Sequence, residues 1–203
     1  LPEENMADLN GALASVHLGE TELQDLCKKY GQHQVSFYMR ALRMYASNLV
    51  LTKLKDSKIK KYKAEERLDD GSLLKVSISL NRQKLTVDFS GSAKVHPGNL
   101  NATRAIVQSV VLYVLRLWVN QPIAMNEGLM EHVKVILPTS LLNPDFSVLK
   151  LPAVVGGNTE VSQRLTDTLL KALGLMACSQ GTMNNLLFGN GHFGYYEAVC
   201  GGT

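Results

Sequence analysis

Residues 74–89, LKVSISLNRQKLTVDF, decide the fold class of this chain. Leu74, Val76, Ile78 and Leu80 alternate with polar residues, as do Leu85, Val87 and Phe89, and Asn81-Arg82-Gln83 separates the two runs. A period of two sends successive side chains to opposite faces, which predicts a β-hairpin with one buried face. Gly91, Pro97 and Gly98 then punctuate a loop, and Arg104 to Val119 is apolar almost all round, as a central helix would be. A strand is expected from His132 to Leu137, stopped by Pro138, and an irregular apolar passage from Val148 to Val155 around Pro152. Gly156-Gly157-Asn158-Thr159 leads into Val161, Leu165, Leu169, Ala172 and Met176 at helical spacing, with Asn158 or Thr159 placed as the cap. A second hairpin is expected about Asn190-Gly191, a pair suited to a two-residue turn, between Leu186–Phe188 and Phe193–Val199.

Upstream of the first hairpin, Val35, Met39, Leu42, Ala46 and Leu49 recur at steps of three and four, the period of an amphipathic helix with one face packed inward. Thr21 reads as an N-cap before Leu23 and Leu26, and Gly31 after Lys28-Lys29 as a C-terminal stop. The expected organisation is therefore a helical segment with a lysine-rich end at 1–63 and an α+β domain at 64–203. N-terminal helices, β-hairpins and strands pack around the central apolar helix, in a single compact unit.

The chain has 203 residues, 45% of them hydrophobic and 19% charged, enough to bury a core and far from the composition of disordered chains. The longest apolar run, Ile106 to Val119, is interrupted by Gln108, Ser109 and Arg116, so no membrane span is expected. The net charge of +3 arises from one cluster, Lys53, Lys55, Lys58, Lys60, Lys61 and Lys63, and the remainder has two more acidic than basic side chains. A local cluster with Tyr62 as its sole aromatic residue reads as a solvated helix end and linker, not as a nucleic-acid interface. Cys27, Cys178 and Cys200 are widely spaced and odd in number, which fits reduced thiols and a cytoplasmic setting. The chain opens at Leu1-Pro2-Glu3-Glu4, without an initiator Met or a signal-peptide order, and reads as the inner piece of a longer polypeptide.

Four features carry candidate chemistry. The Gly156-Gly157-Asn158 turn either holds an anion or carbonyl oxygen at a helix start or is simply a tight turn; it fits neither nucleotide-binding glycine pattern. Gln180-Gly181-Thr182-Met183-Asn184-Asn185 gathers amides and a hydroxyl that orient a substrate, donate to an oxyanion, or cap a turn. Glu127, in Asn126-Glu127-Gly128, is a base or a solvated loop carboxylate, and Glu197 faces solvent or a buried partner. His17, His33, His96, His132 and His192 show no metal-binding spacing, and Ser162, Ser179 and Cys178 lack a nucleophile signature. No metal site is therefore expected within this chain.

Taken in order, these segments resemble the hydantoinase B / 5-oxoprolinase family, which includes subunits of acetone carboxylase and related ATP-dependent lactamases. The matching stretches begin with Val16-His17-Leu18-Gly19-Glu20 and run from Gly71 through the strand ending Asp88-Phe89-Ser90-Gly91-Ser92. Further on they comprise Asn101-Ala102-Thr103, Asn126-Glu127-Gly128, Leu141-Leu142-Asn143-Pro144, Gly156 to Arg164, Gly181 to Asn185, and Tyr196-Glu197 with Gly201-Gly202. The resemblance implies an enzyme pair or fusion. An ATP-binding, actin-like A-type partner phosphorylates a lactam, hydantoin or ketone, and the B component, of which this chain looks like part, completes hydrolysis or carboxylation.

ATP would thus sit on the hydantoinase A-type partner, and a divalent metal would be held by histidines and acids in a segment before Leu1. On residue chemistry and motif position, Glu127, Asn184 and Asn185 are the candidate catalytic residues. Gly156, Gly157, Asn158, Gln180, Gly181 and Thr182 are the candidate substrate-binding residues, and Glu160 and Glu197 are further acid, base or structural partners. Alone, such a piece is expected to be catalytically silent. Its alternatives are an inactive binding or scaffold module and a subunit of an ATP-dependent ketone carboxylase.

Overall fold

The computed structural model describes residues 2–57, 61–81, 83–177 and 184–199. The chain divides into two compact units, Leu1–Tyr45 and Ala46–Thr203.

The first unit is helical throughout. Helix α1 spans Pro2–Tyr30, Gly31 breaks it at φ +83°, and helix α2 starts at Gln32 and runs on to Asp56. Gly31 is the stop expected of it, because a positive φ is costly for a residue with a Cβ. Thr21, by contrast, does not cap a helix. It lies inside α1, where its hydroxyl donates to the His17 carbonyl at 3.0 Å, and the single Gly19 before it is too weak a breaker to end the helix. The inward face of α2 also begins later than its periodicity suggests: Met39 and Leu42 are exposed, and burial starts at Ala46, Ser47, Val50 and Leu54. Period reports which residues share a face and not whether something covers it.

The second unit is built on a four-stranded mixed sheet in the order β1-β2-β3-β4, with β1 at Lys61–Arg67, β2 at Leu73–Leu80, β3 at Leu85–Asp88 and β4 at Val133–Ile136. β1, β2 and β3 are antiparallel, and β3 and β4 pair in parallel across a crossover that contains helix α3, Arg104–Val119. Register aligns Ile78 with Val87 and Leu80 with Leu85, so the alternating residues all face one core, joined by Phe89. The lysine-rich end of the expected helical segment divides between the end of α2, which stops at Asp56, and the start of β1, which Lys61, Tyr62 and Lys63 open. β1 is an edge strand whose Lys61, Lys63, Glu65, Glu66 and Arg67 discourage pairing with other chains, and those charges hide the inward step of Tyr62 and Ala64 and of Leu68 just beyond it.

α3 buries Val107, Val110, Val111, Val114, Leu115, Trp118 and Val119 and leaves Gln108, Ser109 and Tyr113 exposed. Helix α4, Glu160–Leu173, packs on α3 and on β1 and β2 through Val161, Leu165, Leu169 and Leu170. It stops before Met176 because Gly174 turns left-handed at φ +61°, with its N–H bonded to the Leu170 and Lys171 carbonyls and that of Leu175 to Leu170. The second hairpin, β5 at Asn184–Gly189 and β6 at Gly194–Val199, is exposed along β6. Its tip is Gly191-His192, one residue later than expected. The Asn190 carboxamide accepts the His192 N–H at 2.9 Å, and neither Asn190 nor Gly191 takes the positive φ of the expected turn. The whole is an α+β fold. Among the described residues no helix is long and apolar enough to cross a membrane.

Candidate functional site

Two loops fix the geometry of the site by passing through one another's hydrogen bonds. Asn101 is fully buried. Its Oδ1 accepts the His96 N–H at 2.7 Å, and its Nδ2 donates to the carbonyls of His96, Gly98 and Ala153 at 3.0, 3.2 and 2.9 Å. The N–H of Gly156 donates to Asn99 at 2.9 Å, and that of Gly157 to Val154 at 3.0 Å. A Cβ on Gly157 would lie 2.1 Å from the Asn101 carbonyl oxygen, so only glycine permits this backbone crossing. Ala102 in turn bonds the Leu141 carbonyl at 2.7 Å, and Leu141 the Ala93 carbonyl, which anchors the crossing in the core. The Asn101-Ala102-Thr103 and Gly156-Gly157-Asn158 segments thereby set the starts of α3 and α4.

Both glycine N–H groups are thus committed within the chain, and their contribution is to place Asn158. The close approach that would cradle a phosphate is filled by Asn101 and Ala102, so this turn does not fit a nucleotide. Among the described residues no three His, Cys, Asp or Glu side chains gather as metal ligands.

Two concavities lie along α3 and share Ser109 as a common wall. One, of about 260 Å³, is lined by Ser109, Tyr113, Asn158, Ser162, Gln163 and Thr166 with apolar neighbours. The other, of about 270 Å³, is lined by Gln108, Ser109, Leu112, Glu127 and Met130. Glu127 opens a 3-10 turn, Glu127–Met130, which Asn126 caps by accepting the Gly128 N–H at 2.8 Å. The result is a trough over the exposed side of α3 with a carboxylate at one end, a hydroxyl midway and a carboxamide at the other. Between them these groups supply hydrogen-bond donors and acceptors and one acid–base group.

The structure therefore brings Glu127 and Asn158 to adjoining hollows. Asn184 and Asn185 lie elsewhere, on the second hairpin. Asn185 lies on β5, where its Oδ1 accepts the Tyr196 phenol at 3.0 Å, and Asn184 lies opposite Val199. Gln180, Gly181 and Thr182 lie outside the described residues. Glu197 accepts the Tyr195 phenol, which pushes the Tyr195 pKa up.

Ser109 and Gln108 escaped the sequence reading because they look like interruptions of an apolar helix; that interruption was their signal. A second unforeseen pair is Asp70 and His96, 2.8 Å apart, beside a groove of about 440 Å³ that includes Thr139 and Lys150. His96 Nδ1 accepts the Gly98 N–H at 2.9 Å, so Nε2 carries the proton shared with Asp70. A third, Ser47 with His132 at 2.8 Å, joins residues 85 apart in sequence and has no local signal.

Asp70 supplies a pH prediction. Its carboxyl is held below the usual range by the Ser72 N–H and hydroxyl, and further by His96. A depressed carboxyl pKa contributes stability that is present above the unfolded value, near about 3.9, and is lost as pH falls through the folded value. Thermal melts from about pH 6 down to about pH 3 should show a steeper loss in the parent than in Asp70→Asn. Parallel curves would deny Asp70 that role.

A family model of hydantoinase B/oxoprolinase matches residues 1–203. The chain is 38% identical over 210 residues to a 5-oxoprolinase of Dictyostelium discoideum, covering 98% of this chain and 16% of that protein. It is 36% identical over 219 residues to a 5-oxoprolinase of Saccharomyces cerevisiae, covering 98% of this chain and 17% of that one. Among solved structures it resembles the ATP-dependent caprolactamase of Pseudomonas jessenii, with a TM-score of 0.69 and 25% identity over 82% of this chain and 29% of the other. The chain thus spans about a sixth of the two 5-oxoprolinases. Sequence and fold agree that this chain belongs to the hydantoinase B/oxoprolinase family.

Proposed function

We propose that the chain forms part of the B-type component of an ATP-dependent cyclic-amide hydrolase, acting on a lactam or hydantoin after an A-type partner or fused domain has phosphorylated it. The observation that carries this reading is the α3 trough, in which Glu127, Ser109 and Asn158 line adjoining hollows, within a chain whose relatives include 5-oxoprolinases. ATP belongs to the A-type partner in this reading, because the glycine turn here is filled by protein backbone. A metal, if the reaction uses one, is held by the upstream segment.

In the trough, Asn158 and Ser109 hold the carbonyl and N–H of the ring, while Glu127 moves a proton to or from the attacking water or the leaving nitrogen. Gly156 and Gly157 position Asn158. Gln180, Gly181 and Thr182, in the stretch that precedes β5, are the further candidate substrate contacts. The cytoplasm is the compartment that fits an ATP-dependent partner.

The test is Glu127→Gln in the longer subunit that carries this chain, paired with its A-type partner. Turnover should fall about 10²- to 10⁴-fold, with thermal stability changed by less than about 0.5 kcal/mol because Glu127 is exposed. Unchanged turnover would remove Glu127 from the chemistry. Partner-dependent uptake of carbonate by the parent pair, with no ring opening of a lactam or hydantoin, would identify a ketone carboxylase instead.

A further inference from the structure

One imidazole ties the turn between β1 and β2 to the backbone crossing. His96 Nε2 meets the Asp70 carboxylate at 2.8 Å, and His96 Nδ1 accepts the Gly98 N–H at 2.9 Å. The backbone N–H and carbonyl of His96 are both bonded to the Asn101 carboxamide. Its side chain is 17% exposed, against 37% for Asp70. A Cβ on Gly98 would lie 3.0 Å from the His96 Cε1, so glycine lets the ring rest against this amide. The arrangement copies an Asx-turn, in which a side-chain acceptor takes the N–H two residues on.

The approach to α4 is seated on the loop so braced. The Gly98 carbonyl accepts from Asn101 Nδ2 at 3.2 Å, the same nitrogen reaches the Ala153 carbonyl at 2.9 Å, and the Asn99 carbonyl accepts the Gly156 N–H at 2.9 Å. Asn158 follows directly on the two glycines. We infer that His96 is a positioning residue for Asn158: with Nδ1 bare it pins the 96–102 loop under the 153–157 stretch, and a proton taken up at Nδ1 releases that loop. The inference rests on the reading of Asn158 as a substrate contact.

The bond to Gly98 needs a bare Nδ1, because a ring nitrogen that carries a proton is a donor and cannot accept an N–H. Nε2 keeps its proton toward Asp70 in both states, so the second proton, drawn from solvent, sets two N–H groups against each other. Of the other charges about the ring, the β1–β2 turn presents Asp70, and the stretch before Pro152 presents Asp145 and Lys150 to the groove that His96 also lines. Asp70 and Asp145 are both held below the usual carboxyl range, by the N–H and hydroxyl of Ser72 and of Ser147 respectively. These carboxylates stay charged across the interval of about pH 8 to about pH 5 in which an imidazole changes charge. Asp70 therefore retains the imidazolium after Gly98 has let go, and the release acts on the loop and not on the anchor.

The test uses the longer subunit that carries this chain, with its A-type partner, and two substitutions that split the two ring bonds. His96→Asn keeps an acceptor for the Gly98 N–H at the Nδ1 position, has no proton to gain, and gives up Asp70. His96→Gln reaches Asp70 from the Nε2 position and gives up Gly98. Hydrogen exchange of peptides covering 96–102 and 153–158, corrected for the intrinsic effect of pH, reads the loop without reference to turnover. At about pH 7.5, His96→Gln should lose about tenfold in protection while His96→Asn matches the parent. From there to about pH 5.5 the parent should fall toward the His96→Gln level while His96→Asn holds. The ratio of His96→Asn to parent turnover should rise about fivefold or more over the same interval, the acid–base group at Glu127 being common to both. A His96→Gln that keeps its protection, a His96→Asn that loses it, or parallel curves for the parent and His96→Asn would each overturn the inference. The expected exchange with an unchanging turnover ratio would overturn the link to Asn158. Glu127→Gln, which tests the trough as the reaction site, leaves the exchange pattern untouched, so failure of that reading and failure of the brace are told apart.

Discussion

Gly157→Ala should unfold the second unit or lower its stability by more than about 4 kcal/mol, with a fall in melting temperature of roughly 10 °C or more. The added Cβ would sit 2.1 Å from the Asn101 carbonyl oxygen and 2.7 Å from the Ala102 Cα. Neither neighbour can swing aside as a side chain tip does, since both are backbone pinned by hydrogen bonds to the core. Relief requires the 99–102 and 153–157 loops to part, which removes the Gly156 bond to Asn99 and the Asn101 bond to Ala153 together. Gly11→Ala is the matched control: nothing lies within 4 Å of its Cβ, and alanine favours a helix by about 0.5–1 kcal/mol, so melting should hold or rise slightly. Equal effects at the two positions would refute the backbone-crossing account.

Asn101→Ala should cost about 3–5 kcal/mol. The substitution leaves the His96 N–H without its acceptor and removes the donor from three carbonyls in a site closed to solvent. Asn101→Asp separates hydrogen bonding from packing. It keeps the acceptor for His96 but turns a carboxylate oxygen toward those carbonyls, so it should destabilise at least as much as alanine despite its matching shape. If aspartate were tolerated, the network would not be what holds the loops. Urea melts of the two variants beside the parent supply the comparison.

The glycine crossing also shows what sequence patterns convey. The first hairpin and α3 were legible because burial on one face forces a period on the chain, and Leu74 to Phe89 and Arg104 to Val119 display it. β1 was not legible, since an edge strand covers its outer positions with charge and its inner ones need only Tyr62, Ala64 and Leu68. α2 was legible in period but not in burial, because Met39 and Leu42 share a helix face with Ala46 yet are exposed.

Of the candidate site, Glu127 and Asn158 could be named singly from residue type and motif position. Their common wall, Ser109, could not be linked to them, because it depends on how the loop after α3 and the start of α4 fold back on the same helix. The glycine pair illustrates the converse. Gly156-Gly157 announces a close approach, but what approaches is Asn101, some 56 positions earlier in the chain, and local sequence does not identify it.

The central claim is that this chain works within a component that finishes what an ATP-dependent partner begins. Its most direct test measures phosphate release and ring opening together, for 5-oxoproline and for hydantoin, using the longer subunit carrying this chain with and without its A-type partner. The account predicts ring opening matched to phosphate release in the pair alone, and phosphate release without ring opening when Glu127→Gln replaces the parent. Ring opening by the A-type partner alone, or by the carrier subunit without ATP, would contradict it.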